Sequence, residues 1–350
     1  MSEQPGRSFI RRHKYLLLFI ALLFRGVYVC LEINEIRQPA NPGMLSVTTG
    51  DTEGYLGPIE SVLAGGSYVP DYRMPGVGAP YWVFRHFLDV GGSRDAMVLL
   101  QWLLAGISVY LLARIAERFS GSGRIGLAVY VVFLASAYAS WFDASISSDS
   151  FSVSAVIIGT FFLQQAVDRK QLPMLLLAGV FLGWLVFLRP VNIVPLILAA
   201  VLLVRFAKWP RPIWAVVVFL IPFLIADIPW AMRNWRADGK VNLLTNQGLL
   251  PSEFTGEIAG HAMVFLQGYG ANYIWWTPGA DMRWFGVWKG GPELDDKGRK
   301  AKPPPDHAIV PGYTRDSLYL LSERVRRLSE GHLNTSDSLA EVAAINARFD

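Results

Sequence analysis

"RSFIRRHKYLLLFIALLFRGVYVCLEINEIR" runs from Arg7 to Arg37, and its reading decides the fold. Basic residues crowd its start. From Tyr15 to Leu31 the run is apolar, with Arg25 as its one charge. A bilayer-spanning helix needs about 20 mostly apolar residues. No small-residue cleavage site follows, so the run reads as an uncleaved first membrane helix rather than a signal peptide.

Further runs of the same kind follow at Ala96–Ile115, Ile125–Phe142, Phe151–Val167, Leu172–Leu188, Ile193–Ala207 and Ile213–Met232. The expectation is a mainly α, polytopic membrane bundle of about seven spans, the shorter ones tilted, broken or re-entrant. Composition agrees. Only 17% of the 350 residues are charged, against about 25% in soluble domains. Many aromatic residues sit at the ends of apolar runs, where amphipathic rings favour the headgroup layer. The net charge of +4 is met by basic loops and calls for no nucleic acid. Cys30 stands alone, so no intramolecular disulfide holds the loops.

Loop charge sets the expected orientation. Arg7, Arg11, Arg12, His13 and Lys14 precede the first span. Arg114, Arg118 and Arg124 follow the second, Arg169 and Lys170 the fourth, and Arg205, Lys208 and Arg211 the sixth. Every second loop is basic and therefore cytoplasmic. Residues 32–95, 143–150, 189–192 and 234–350 then lie outside, with the N-terminus inside. The chain divides into a membrane module, 1–233, with its external loop 32–95, and an external C-terminal segment, 234–350. The latter holds a Trp- and Gly-rich part around Trp275, Trp276 and Trp284, open to two readings, an acceptor-binding surface or, by slight preference, an aromatic belt on the membrane. A Pro-rich hinge follows, then two expected helices, one with a stripe of Leu318, Leu321, Val325 and Leu328, the other from about Ser336 to Phe349.

Chemistry-bearing residues collect on the outer side. "TTGDTEGYL", residues 48–56, places Asp51 and Glu53 beside the first span, with Tyr55 beyond. Both acids suit a helix start, Asp51 as N-cap and Glu53 in the first turn. A carboxylate fixed there is equally placed as a general base. "DYRMPGVGAPYW", residues 71–82, carries Arg73 among prolines and glycines. Asp149 lies in a short outer turn, where it and Ser147 are ordinary N-cap candidates. Arg189 ends the fifth span, Arg233 the last, and Lys240 follows. Asp227 and Arg25 are ionisable groups inside spans, a class that is costly and often functional, although Arg25 is near enough to an end to snorkel. The scattered histidines lack metal-ligand spacing, and no nucleotide-binding motif is present.

The order of these pieces resembles polytopic, lipid-linked-sugar glycosyltransferases of the GT-C fold, and more closely the protein mannosyltransferases and aminoarabinose transferases of glycosyltransferase family 39. The features that carry it are the acid-x-x-x-Tyr stretch after the first span, "R-x-P-G" from Arg73, Asp149 in an outer turn, and Arg189-Pro190 ending a span. Pro229, Trp230, Arg233 and Asn234, then "TNQG" at 245–248, complete the order. The resemblance covers residues 10 to about 250 and rests on order and topology. It implies inverting transfer of a sugar from a polyprenyl-phosphate donor to a lipid, glycan or protein acceptor at the outer face of a membrane, a bacterial inner membrane by this reading. Asp51 would be the base and Glu53 its support. Tyr55, Arg73, Asp149, Arg189, Arg233 and Lys240 would bind substrate. No cofactor is implied, and nothing in the sequence demands a divalent metal. The chain ends at Asp350, where family members usually continue with further spans, so the resemblance implies a truncated or minimal member. A secondary transporter would show paired hydropathy repeats, and none is visible. A non-catalytic envelope or assembly protein is the other alternative.

Overall fold

The computed structural model describes residues 9–36, 43–48, 51–66, 68, 73–136, 140–206, 212–238, 244, 340–341 and 343–344. The chain forms two units, 1–246 and 247–350. Lys240, "TNQG", the Trp-rich stretch, the hinge and the Leu318 stripe lie outside the described residues. Of the final expected helix, 340–341 and 343–344 are described and are helical.

The first unit is helical throughout its described length, apart from turns and one isolated β-bridge. A short α1 (Phe9–Arg12) leads into α2 (Lys14–Ile36). Two small helices follow, α3 (Thr52–Leu63) and α4 (Gly78–Arg85). The long α5 (Val90–Ser120), α6 (Gly123–Leu134), α7 (Ser148–Arg169), α8 (Leu172–Leu188), α9 (Ile193–Phe206) and α10 (Pro212–Asp238) complete the bundle. Four helices, α2, α5, α7 and α10, are long and apolar enough to cross a membrane; α6, α8 and α9 are apolar but shorter. At 1.5 Å per residue, the 14 residues of α9 reach about 21 Å, less than a hydrocarbon core of about 30 Å.

The helices stop where their ends are chemically met. Asp89 caps α5 by accepting from the Gly92 N–H at 2.7 Å, and Gly121 ends it at φ 68°, where a side chain would be strained. Ser147 caps α7, as its sequence suggests. The packing order runs α2, α5, α7, α8, α10, with α6 on α5 and α9 against α8 and α10. Small residues permit the closest approach. Gly179 of α8 lies against the Phe219 carbonyl, and Gly183 lies against Phe223, the packing that helices use where lipid supplies no hydrophobic drive. Side-chain donors that enter the bundle find carbonyls: Trp102 donates to Leu22 O at 2.8 Å and Tyr130 to Leu17 O at 2.7 Å.

The third apolar run behaves differently from its sequence expectation. It was expected to stay helical to Phe142, but α6 ends at Leu134. Residues 143–147, at the start of the expected outer turn 143–150, form a buried strap, because side chains stand ready to take its backbone groups. Gln101 of α5 donates to the carbonyls of Phe142 (3.0 Å) and Ser145 (2.9 Å). Thr52 donates to Ile146 O, and the Val47 N–H to Ala144 O, each at 3.1 Å. Val47 and Ser145 make the isolated parallel bridge.

Beside the strap, Arg25 is 1% exposed and does not snorkel. Its guanidinium donates to Asp143 at 3.3 Å, to Ser140, and to the Phe133 carbonyl. Asp143 also accepts from Ser150 at 2.7 Å. Burial pushes the Asp143 carboxyl up to about 6, against the pull of Arg25.

Candidate active site

The polar cluster sits at the end of the bundle where α2, α8 and α10 finish and α5 and α7 begin, opposite the basic turns at Arg118–Arg124 and Arg169–Lys170. Asp51 occupies the N-cap position of α3, yet its side chain makes no cap hydrogen bond. It is turned instead to Arg73, whose Nη2 donates to Oδ1 at 2.6 Å. The Arg73 side chain is 10% exposed and Asp51 55% exposed, so the carboxylate faces outward from a buried cation. Gly54 has no side chain to obstruct the guanidinium, which lies where a Cβ would stand. The same guanidinium sits 5.1 Å from the Tyr55 ring centre, within cation–π range.

The Arg73 segment is held from below. The Gly76 N–H donates to Phe187 O at 3.0 Å, and Trp184 of α8 donates to Gly76 O at 2.8 Å. A Cβ on Gly76 would strike the Phe187–Leu188 backbone. Only glycine permits that approach, and it ties the loop to the end of α8.

That end carries Arg189. Its Nε donates to Ser148 Oγ at 2.8 Å, and its other arm pairs with Asp149 at 2.7 Å. Ser148 is fully buried and also accepts from the Tyr55 hydroxyl at 3.1 Å. Tyr55, Ser148, Asp149 and Arg189 are therefore one hydrogen-bonded set, and Tyr55 joins it to the Asp51–Arg73 pair. Glu53 points elsewhere, to Arg94 of α5 at 2.9 Å. Arg94 also reaches Thr48 at 3.3 Å. Arg233 donates to Tyr68 O at 2.7 Å and stacks near Tyr68 and Trp230.

The tertiary structure thus joins Asp51, Tyr55, Arg73, Asp149 and Arg189, gives Glu53 to a separate ion pair, and holds Arg233 on the Tyr68 segment. Ser148 and Arg94 were missed by sequence reasoning. Ser148 sits among serines that read as N-caps, and its partners are 93 and 41 positions away in sequence. Arg94 could have been sought as the counter-ion of Glu53. Among the described residues no group of three or more metal-ligating side chains gathers.

Residues 78–232 match the model of the dolichyl-phosphate-mannose-protein mannosyltransferase family. The match covers less than half of the chain, and the apolar helices α5 to α9 lie within it. It spans α4 to most of α10 and includes Asp149 and Arg189. Asp51, Glu53, Tyr55 and Arg73 lie before it and Arg233 one residue beyond, so their placement rests on this chain's own geometry. No curated protein and no solved structure matches the chain.

A third acid stiffens the floor of α3. Glu60 accepts from Arg85 at 2.7 Å and from the Tyr81 hydroxyl at 2.5 Å, tying α3 to α4. The Arg85 hydrogen bonds hold its carboxyl below the ordinary range, against the opposing effect of burial. A depressed carboxyl contributes stability above its unfolded value, near 4.5, and that contribution is lost as pH falls through the folded value. Amide-exchange protection of α3 is therefore expected to fall on acidification below about pH 4.5. In Glu60→Gln it should be lower at neutral pH and flat across that range. A pH dependence equal to the parent's would assign the effect to another group.

Proposed function

We propose that the protein transfers a sugar, with inversion, from a polyprenyl-phosphate donor to an acceptor hydroxyl, using Asp51 as general base. The observation that carries this reading is the exposed Asp51 carboxylate, turned away from its helix cap onto a buried arginine. The family match supports the reaction class. The acceptor oxygen attacks the anomeric carbon, the bond from that carbon to the phosphate oxygen breaks, and polyprenyl phosphate leaves with the electron pair. The acceptor proton passes to Asp51.

Cations should stabilise the developing phosphate charge. Arg73 and Arg189 border the same Tyr55–Ser148 link, which suits two guanidiniums to one phosphate. A phosphate that takes hydrogen bonds from Arg73 frees Asp51 to accept the proton. Arg233 would extend the cationic rim, Asp149 would orient Arg189, and Glu53 would fix the start of α3 through Arg94; Lys240 is assigned to substrate on its sequence position alone. The reading puts this end of the bundle outside the membrane, with the basic turns in the cytoplasm.

Purified protein given a polyprenyl-phosphate sugar and an acceptor should release polyprenyl phosphate with an inverted glycosidic product. In Arg189→Ala, kcat/KM for the donor should drop by about 10²-fold, with the helical content unchanged. A retained anomeric configuration would sink the single-displacement mechanism.

A further inference from the structure

Asp227 of α10 is 5% exposed, and its Oδ1 is buried without a hydrogen-bond partner. Among the described residues no ion pair or side-chain hydrogen bond is made by this carboxylate, whereas Arg25, Arg73, Arg94 and Arg189 each hold one. A buried carboxylate without a donor is among the costliest groups a fold can carry, and inside an apolar helix more so. Its stripe explains where it stands. Ala215, Phe219, Asp227, Trp230 and Asn234 are the buried positions along α10, and Phe223 lies between them.

The register against α8 fixes its height. Gly179 meets Phe219 and Gly183 meets Phe223. The two helices thus advance together, and four residues further on Phe187 comes level with Asp227. Phe187 is the residue whose carbonyl accepts from Gly76, and with Met74 and Trp230 it forms a buried cluster. By that register Asp227 stands at the height of Phe187, two residues before Arg189, and on the same buried stripe as Trp230, which packs with Met74 beside Arg73. An acid at that level repels a phosphate and attracts hydroxyl donors. A sugar joined to a phosphate held by the arginines carries such hydroxyls.

We infer that Asp227, on the stripe facing the floor of the arginine site, accepts hydrogen bonds from hydroxyls of the donor's sugar. The inference rests on the transferase reading above and adds the residue that recognises the sugar rather than the lipid phosphate.

Binding of polyprenyl-phosphate mannose and of bare polyprenyl phosphate is measured in micelles, with unfolding temperature read on the same samples. Asp227→Ala should weaken the mannosyl lipid about 10- to 100-fold and leave the bare lipid unchanged. It should also raise the unfolding temperature by about 2–4 °C, because an uncompensated buried charge is gone. Asp227→Asn, which keeps one acceptor, should lie between. A purely structural carboxylate would lower the unfolding temperature when removed. That result, equal loss of both lipids, or an effect confined to acceptor KM overturns the assignment. An unaltered protein that binds the bare lipid but gains nothing from the sugar also overturns it, with the phosphate site intact. Failure to bind either lipid removes the transferase reading and this assignment together.

Discussion

Asp51→Asn is expected to lower sugar transfer by about 10²–10⁴-fold while leaving the fold unchanged, as read by single-turnover assay with a polyprenyl-phosphate sugar. Asparagine keeps the shape of the carboxylate and one acceptor oxygen. It cannot take up the acceptor's proton. The Asp51–Arg73 ion pair is lost with it, but the carboxylate is 55% exposed, and exposed pairs contribute only about 0–1 kcal/mol. Arg73 stays in place, since Tyr55 stacking and the notch at Gly54 hold its guanidinium independently. The unfolding temperature should therefore move little, and donor KM should change less than kcat. Full activity in the variant would remove Asp51 as the base. A matching loss in Glu53→Gln with none in Asp51→Asn would move that role to Glu53, whose carboxylate is paired with Arg94 at 2.9 Å.

Arg25→Leu is expected to have the largest effect on stability, about 3–5 kcal/mol, because it strands Asp143 in the interior. Both side chains are nearly inaccessible, at 1% and 2%, and Arg25 also serves Ser140 and the Phe133 carbonyl. The loss should depend on pH. Burial already raises Asp143 to about 6, and removing the guanidinium raises it further. A carboxyl raised on folding contributes most below its unfolded value and loses that contribution as pH rises through the folded one. Thermal unfolding of Arg25→Leu should therefore recover on acidification. The double variant Arg25→Leu with Asp143→Leu should restore most of the stability at neutral pH, since an apolar pair of similar volume carries no desolvation cost. If the double variant is as unstable as the single one, the hydrogen bonds to Ser140 and Phe133, and not the stranded charge, dominate.

Much of the fold was legible because lipid imposes a simple rule on composition. An apolar run satisfies its backbone internally and becomes a helix. Each expected run holds a helix, α2 and α5 to α10, and the third alone stops early, at Leu134. The third run was misjudged only at its end, where α6 stops at Leu134 although the residues after it are apolar enough for a span. The burial of the expected outer turn was not legible either, because Gln101 and Thr52, which take the Ser145 and Ile146 carbonyls, are 44 and 94 positions away. The acids of the first loop were legible as a pair. Their separation into different roles was not, because Arg73 and Arg94 follow them by 22 and 41 positions.

By itself the sequence determined that this chain is a bundle of apolar helices, with basic turns at one end and acids and arginines at the other. Charge and hydropathy act locally there, so a linear reading captures them. Only the tertiary structure decided which acid meets which arginine, that Ser148 joins Tyr55 to Arg189, that Arg25 is buried on Asp143, and that Asp227 has no partner among the described residues. Those outcomes depend on glycine-permitted approach at Gly54, Gly76, Gly179 and Gly183 and on the register of α10 against α8. A hydrogen bond acts only over about 3 Å, and packing, not sequence distance, brings two side chains that close.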